Sequence, residues 1–164
     1  MKGKLERRVV VLGCGNPFAG DDGVGLEVLQ ALRETGELPD RVELVEAGAP
    51  GFGLLELMYG YDTAIIVDAV MDPKGEPGRV LQWEEGDLPA KKTAALSVHD
   101  IGIRDTLAFG RRTLPEQMPS RVAVVGITVA GTERWHMGLT PAVAGAVPAA
   151  AVAVKKLIEG QTAK

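Results

Sequence analysis

Four side chains in this sequence have the types and settings that could do chemistry. Asp21 and Asp22 stand together after a loop rich in Gly, Asn and Pro. Asp68 interrupts the otherwise apolar run Ala64-Ile65-Ile66-Val67-Asp68-Ala69-Val70, where an unpaired carboxylate is costly to bury. His99, one of only 2 histidines, lies in the polar stretch Ser97-Val98-His99-Asp100. Carboxylates plus an imidazole form a mixed oxygen and nitrogen donor set. Such a set suits divalent Zn, Ni, Cu or Fe and leaves open positions for water or a substrate group. Asp68 has a structural reading as well, in which it accepts backbone N–H bonds or caps a helix. His99 alone would pass for a surface or capping residue. The second histidine, His136, precedes Thr140-Pro141 and is read as structural or substrate-facing.

The loop itself excludes one chemistry. Gly13-Cys14-Gly15-Asn16-Pro17-Phe18 begins like the dinucleotide fingerprint G-x-G-x-x-G but ends in Phe18. Asp21 and Asp22 would repel a pyrophosphate at the helix start, and Pro17 removes a backbone donor. Cys14 has no histidine adjacent in sequence to activate it and reads as a buried structural thiol. Neither a Ser/His/Asp order nor a His-Glu-x-x-His motif is present.

These residues need a scaffold that brings distant loops together. Val9–Leu12, Ala64–Val70 and Val122–Val129 are apolar, β-branched runs of the kind buried on both faces of a parallel sheet. Arg41–Ala47 alternates as a further strand, and Val80–Glu84 as a more exposed one, too closely connected to the run before it to be its parallel βαβ partner. Helical spacing joins Val24, Val28, Leu29 and Leu32, with Asp21 or Asp22 as N-cap and Gly36 as the stop. Phe52, Leu55 and Met58 share one side of a short helix, and Ile101, Arg104, Leu107 and Ala108 mark another. Thr140-Pro141 opens the last helix, which Pro148 kinks or splits. The alternation predicts an α/β protein of one domain over residues 1–164, a three-layer α/β/α sandwich. In such a fold the ligand crevice lies beyond the carboxyl ends of the strands. Asn16, Asp21, Asp22, Glu46, Gly48, Asp68 and His99 are all expected on that edge.

Composition narrows the partners. With 46% hydrophobic residues the chain can build a full core, and with 4% aromatics it must do so from Val, Ile, Leu and Ala. A net charge of -4 disfavours nucleic acid, because no basic excess is present to release phosphate counterions. A single cysteine permits no internal disulfide. The apolar run after the basic start is too short for a signal peptide, and no apolar run is read as a membrane span. A cytoplasmic monomer is the expectation.

Val11-Leu12-Gly13-Cys14-Gly15-Asn16 followed by Gly20-Asp21-Asp22-Gly23-Val24-Gly25 resembles the opening of the hydrogenase maturation proteases. The likeness continues in Ile65-Ile66-Val67-Asp68-Ala69, Ser97-Val98-His99-Asp100, Val125-Gly126-Ile127 and Gly138-Leu139-Thr140-Pro141, in the right order along nearly the whole chain. It implies a twisted, mostly parallel sheet of about five strands with one antiparallel member, phosphorylase/hydrolase-like, between helices. It also implies an aspartic-type endopeptidase that removes the C-terminal extension of a [NiFe] hydrogenase large-subunit precursor. The nickel would arrive with the substrate rather than reside in the protein. The metal-binding and catalytic trio carried over is Asp22, Asp68 and His99, with Asp21 as a possible helping base. Asp22 stands where the family uses Glu or Asp, one methylene shorter than Glu. Glu46-Ala47 stands near a family Asp-Gly, which leaves Glu46 without an implied role. A non-catalytic nickel-sensing checkpoint or chaperone is the alternative.

Overall fold

The computed structural model describes residues 6–49, 51–72, 75–89, 96–97, 102–131 and 137–160. The three apolar runs form the strands that the pattern predicts. They are β1 (Val9–Cys14), β3 (Thr63–Met71) and β6 (Arg121–Val129), nearly every residue of which is buried. With β2 (Val42–Gly48) they make a parallel sheet. The edge strand β4 (Val80–Glu84) runs antiparallel to β6. The order is β2-β1-β3-β6-β4. A sixth element, β5 (Leu96–Ser97), pairs antiparallel with Val70 and Met71 at the end of β3. Its second residue, Ser97, opens the stretch that the sequence reads only as polar.

The period of two along each strand sorts the core into two layers. Val9, Val11, Ile65, Val67, Val125 and Ile127 face α1 (Val24–Thr35) and α4 (Pro141–Glu159). Val10, Leu12, Cys14, Ile66 and Val124 face α2 (Gly53–Met58) and α3 (Ile103–Thr113). This is the predicted α/β/α sandwich. Gly36 ends α1 in the left-handed region at φ 61°, as its position after the last periodic residue requires.

Several local expectations fail for reasons of packing. Neither Asp21 nor Asp22 caps α1. Both lie inside a 3₁₀ turn over Gly20–Gly23, and Gly23 takes the N-cap position with no side-chain bond. Phe52 is 50% exposed rather than on the core side of α2, which buries Leu54, Leu55 and Met58. Its ring lies against Phe109 of α3, with centroids 4.6 Å apart. Of the two expectations for Pro148 the split fails, since α4 runs unbroken for 19 residues. Pro148 is on the solvent side, and Val143, Ala146, Ala150 and Val154 hold the opposite side to the core. That burial offsets the missing backbone donor. By length and composition α4 is long and apolar enough to cross a membrane, contrary to the reading that no run is. In this fold its apolar side packs in the same core as α1 and β6.

Candidate metal centre

The site begins with where β1 stops. The β1–β3 pairing ends at Gly13 opposite Val67, while β3 continues through Met71 on its β6 edge. On the edge that β1 vacates, pairing resumes only at Val70, with Ser97 of β5. Asp68 and Ala69 therefore sit in a break of about 7 Å in that edge of the sheet. Asp68 does not end its strand; three residues follow it in β3. It stands instead where its neighbour ends. The first crossover from β1 leads to β2 on one side, and β3 lies on the other side of β1. The break thus falls at the topological switch point of the sheet, where open α/β sheets bind ligands.

Asp68 is fully buried, and its Oδ1 accepts the N–H of Ala69 at 2.9 Å. The structural reading of Asp68 is true in this respect, since the carboxylate satisfies a backbone donor in the break. One oxygen used in this way still has lone pairs for other partners.

Asp22 reaches the same place from the loop after β1. Gly15 leaves the strand at φ 128°, with its N–H donated to the Gly48 carbonyl at 2.8 Å. A Cβ on Gly15 would lie 1.8 Å from the Asp22 carbonyl oxygen, so only glycine lets the loop fold back onto the acidic turn. Asp22 Oδ2 then accepts the Asn16 N–H at 2.9 Å, and Asn16 Oδ1 accepts the Phe18 N–H at 2.9 Å. Asp22 is 5% exposed.

Cys14 shows that the two carboxylates share a neighbourhood. It is buried on the same sheet face as Ile66, two residues before Asp68 in β3. Burial pushes its thiol pKa well above the ordinary value, and the negative charges of Asp68 and then Asp22 push it further. The thiol therefore stays protonated at neutral pH, as a buried structural cysteine should. Iodoacetamide at pH 8 is expected to leave Cys14 unmodified in the folded protein and to alkylate it in denaturant. Stoichiometric labelling of the native chain by mass would show the pKa shift to have the opposite sign.

The other candidates separate. Asp21 is 6% exposed and turns to α4. Its Oδ1 accepts the Thr140 N–H at 2.7 Å and its Oδ2 the Thr140 hydroxyl at 2.9 Å. Glu46 projects to the α1 side of the sheet, where it meets Arg33 at 3.1 Å, away from the face that carries Cys14. His99 and His136 lie outside the described residues. The described residue nearest to His99 before it is Ser97, paired with Val70, two positions beyond Asp68. After it comes Gly102, the N-cap of α3. Among the described residues no three His, Cys, Asp or Glu side chains are grouped to hold a metal ion. Asp22 and Asp68 supply two hard oxygen donors that suit a divalent cation. The sequence reading missed the partner of Asp21. Thr140 carried a signal as a helix start, but nothing local indicated which carboxylate would meet it.

Comparison with known proteins agrees with this architecture. A family model described as hydrogenase maturation protease matches residues 26–157, a span that contains Asp68 and His99 and begins four positions after Asp22. The chain is 35% identical over 136 residues to the Hydrogenase 2 maturation protease of Escherichia coli, covering 83% of this chain and 81% of that protein. Among solved structures it is similar to the hydrogenase maturating endopeptidase HybD from E. coli, with a TM-score of 0.79, 32% identity and 93% of each chain covered. It is also similar to the [NiFe] hydrogenase maturation protease HybD from Thermococcus kodakarensis, with a TM-score of 0.72, 26% identity and coverage of 92% of this chain and 98% of that one.

Proposed function

This chain belongs to the hydrogenase maturation protease family, and on that premise we propose that it removes the C-terminal extension of a nickel-loaded [NiFe] hydrogenase large-subunit precursor. It is an endopeptidase, and its substrate partner is a hydrogenase large subunit awaiting maturation. The observation that carries the reading is the position of Asp68. A fully buried carboxylate stands in a break of the sheet at the switch point, with Asp22 brought to the same buried cysteine.

Two buried carboxylates that both act on the Cys14 thiol offer a divalent cation oxygen donors from two elements. The nickel in the precursor is the cation we assign to them, with the imidazole of His99 as the third donor. The donor set fits, since carboxylate and imidazole both bind divalent nickel. A cation so held acts as a Lewis acid on the scissile carbonyl or acidifies a water at that carbonyl. The chain's own part is to grip and orient. Asp22 and Asp68 are fixed from the loop after β1 and from β3, so the donors that would receive the cation are in place before the substrate arrives. Because it comes with the substrate, a precursor without nickel offers these carboxylates nothing to bind. We place the protein in the cytoplasm, where a lone thiol such as that of Cys14 stays reduced.

Incubation with nickel-loaded precursor is expected to reduce the large subunit's mass by that of its extension. Precursor lacking nickel should keep its mass. A large subunit unchanged in both reactions would instead support a checkpoint that senses nickel without cutting.

A further inference from the structure

Asp21 and Asp22 are neighbours in sequence, yet they do different things. A 3₁₀ turn has about three residues per turn, so adjacent side chains point roughly 120° apart. Asp22 faces the end of β1, where it accepts the Asn16 N–H. Asp21 faces α4 across 119 positions of sequence and binds both donors of Thr140. Thr140 is the N-cap of α4, but its own hydroxyl caps nothing, and the first turn of α4 contains no acidic residue. Asp21 supplies the missing negative charge from another element, at the positive end of the helix.

We propose that Asp21 is a positioning residue, a buried latch that ties the start of α4 to the acidic turn and so fixes the direction of Asp22. Because the turn is short, holding Asp21 sets the rotation of the whole turn about its axis. The inference rests on the reading of Asp22 as a ligand of the substrate's metal. It differs from the helping-base role in one chemical respect. A base needs the carboxylate to take a proton, whereas a latch needs only an acceptor for the N–H and a partner for the hydroxyl. An asparagine amide meets both needs, because its oxygen accepts the Thr140 N–H and its NH₂ donates to the Thr140 oxygen.

The test compares Asp21→Asn, Asp21→Ala and Thr140→Val. Precursor cleavage gives kcat and KM, and hydrogen exchange follows the Thr140 amide. Asp21→Asn should keep kcat within about threefold of wild type, since one acceptor and one side-chain partner remain. Asp21→Ala should lower kcat about tenfold or more and raise KM as well, because the misplaced Asp22 also holds the metal that the precursor brings. It should also speed exchange of the Thr140 amide by about tenfold, the loss expected for a missing cap. Thr140→Val keeps the carboxylate and removes one bond, so its kcat should fall between those of Asp21→Asn and Asp21→Ala. Asp21→Asn as inactive as Asp21→Ala, with its Thr140 amide still protected, would overturn the latch in favour of a proton-transfer or metal role. Unchanged exchange in Asp21→Ala would overturn it too. If Asp21→Ala does not fold, wild-type kcat in Thr140→Val refutes the latch. If the wild-type protein cleaves no precursor, the proposed function fails, while exchange in the Asn and Ala variants still decides whether the latch exists.

Discussion

Asp68→Asn is expected to abolish processing of the nickel-loaded precursor while the fold survives. The substitution is nearly isosteric, and its amide oxygen can still accept the Ala69 N–H that Asp68 Oδ1 accepts at 2.9 Å. The lost quantity is a negative charge at a fully buried position. A neutral amide is a much weaker partner for a divalent cation, and a fall in kcat of about 10²-fold or more is expected from removing such preorganised charge. Asp68→Ala is less informative. It also strands the Ala69 amide, which adds about 1–3 kcal/mol of destabilisation. The measurement is the time course of large-subunit mass alongside a thermal melt. A shift of roughly 2–4 °C in melting temperature corresponds to about 1 kcal/mol in a chain of this size, and Asp68→Asn should stay within it. Cleavage at the wild-type rate would remove Asp68 from the site, whatever the melt shows. The parallel expectation for His99→Ala is the same loss of processing.

Gly25→Ala is expected to damage stability and activity together. A Cβ on Gly25 would lie 2.3 Å from the Cys14 carbonyl oxygen and 2.5 Å from that of Val67. Both are backbone atoms in central strands, so no side-chain rotation relieves the clash. The start of α1 must lift from the sheet, at a cost of about 1–3 kcal/mol as in other overpacked cores. The acidic turn is joined directly to that end of α1 and would move with it, carrying Asp22 away from Cys14 and Asp68. Gly145→Ala is the control. Gly145 lies on the exposed side of α4, and an added Cβ there meets nothing within 4 Å. Alanine should stabilise that helix by about 0.5–1 kcal/mol and leave cleavage unchanged. Thermal melts and cleavage rates of the two variants form the comparison. A Gly25→Ala protein as stable and active as wild type would mean that α1 does not rest on the sheet as closely as these distances require.

Features that depend on short stretches of chain are legible in the amino-acid order. Apolar β-branched runs specified β1, β3 and β6, because a strand buried on both faces has no polar residues to spare. Gly36 closed α1, and Thr140-Pro141 opened α4, through backbone preferences of single residues. The carboxylates on loops after strands marked the edge of the sheet to search. Which aspartate does what depends on how the layers pack. Asp21 and Asp22 are identical and adjacent, and what separates them is a turn that aims one at Thr140 and the other at β1. The break that holds Asp68 also has no local signal, since β3 itself continues and it is β1 that stops. The outward turn of Phe52 toward Phe109 and the survival of α4 through Pro148 likewise follow from neighbours far away in the chain. Propensity and periodicity are short-range, so they locate elements. The direction of Asp21 is set by a contact across 119 residues, which forms only when the layers pack.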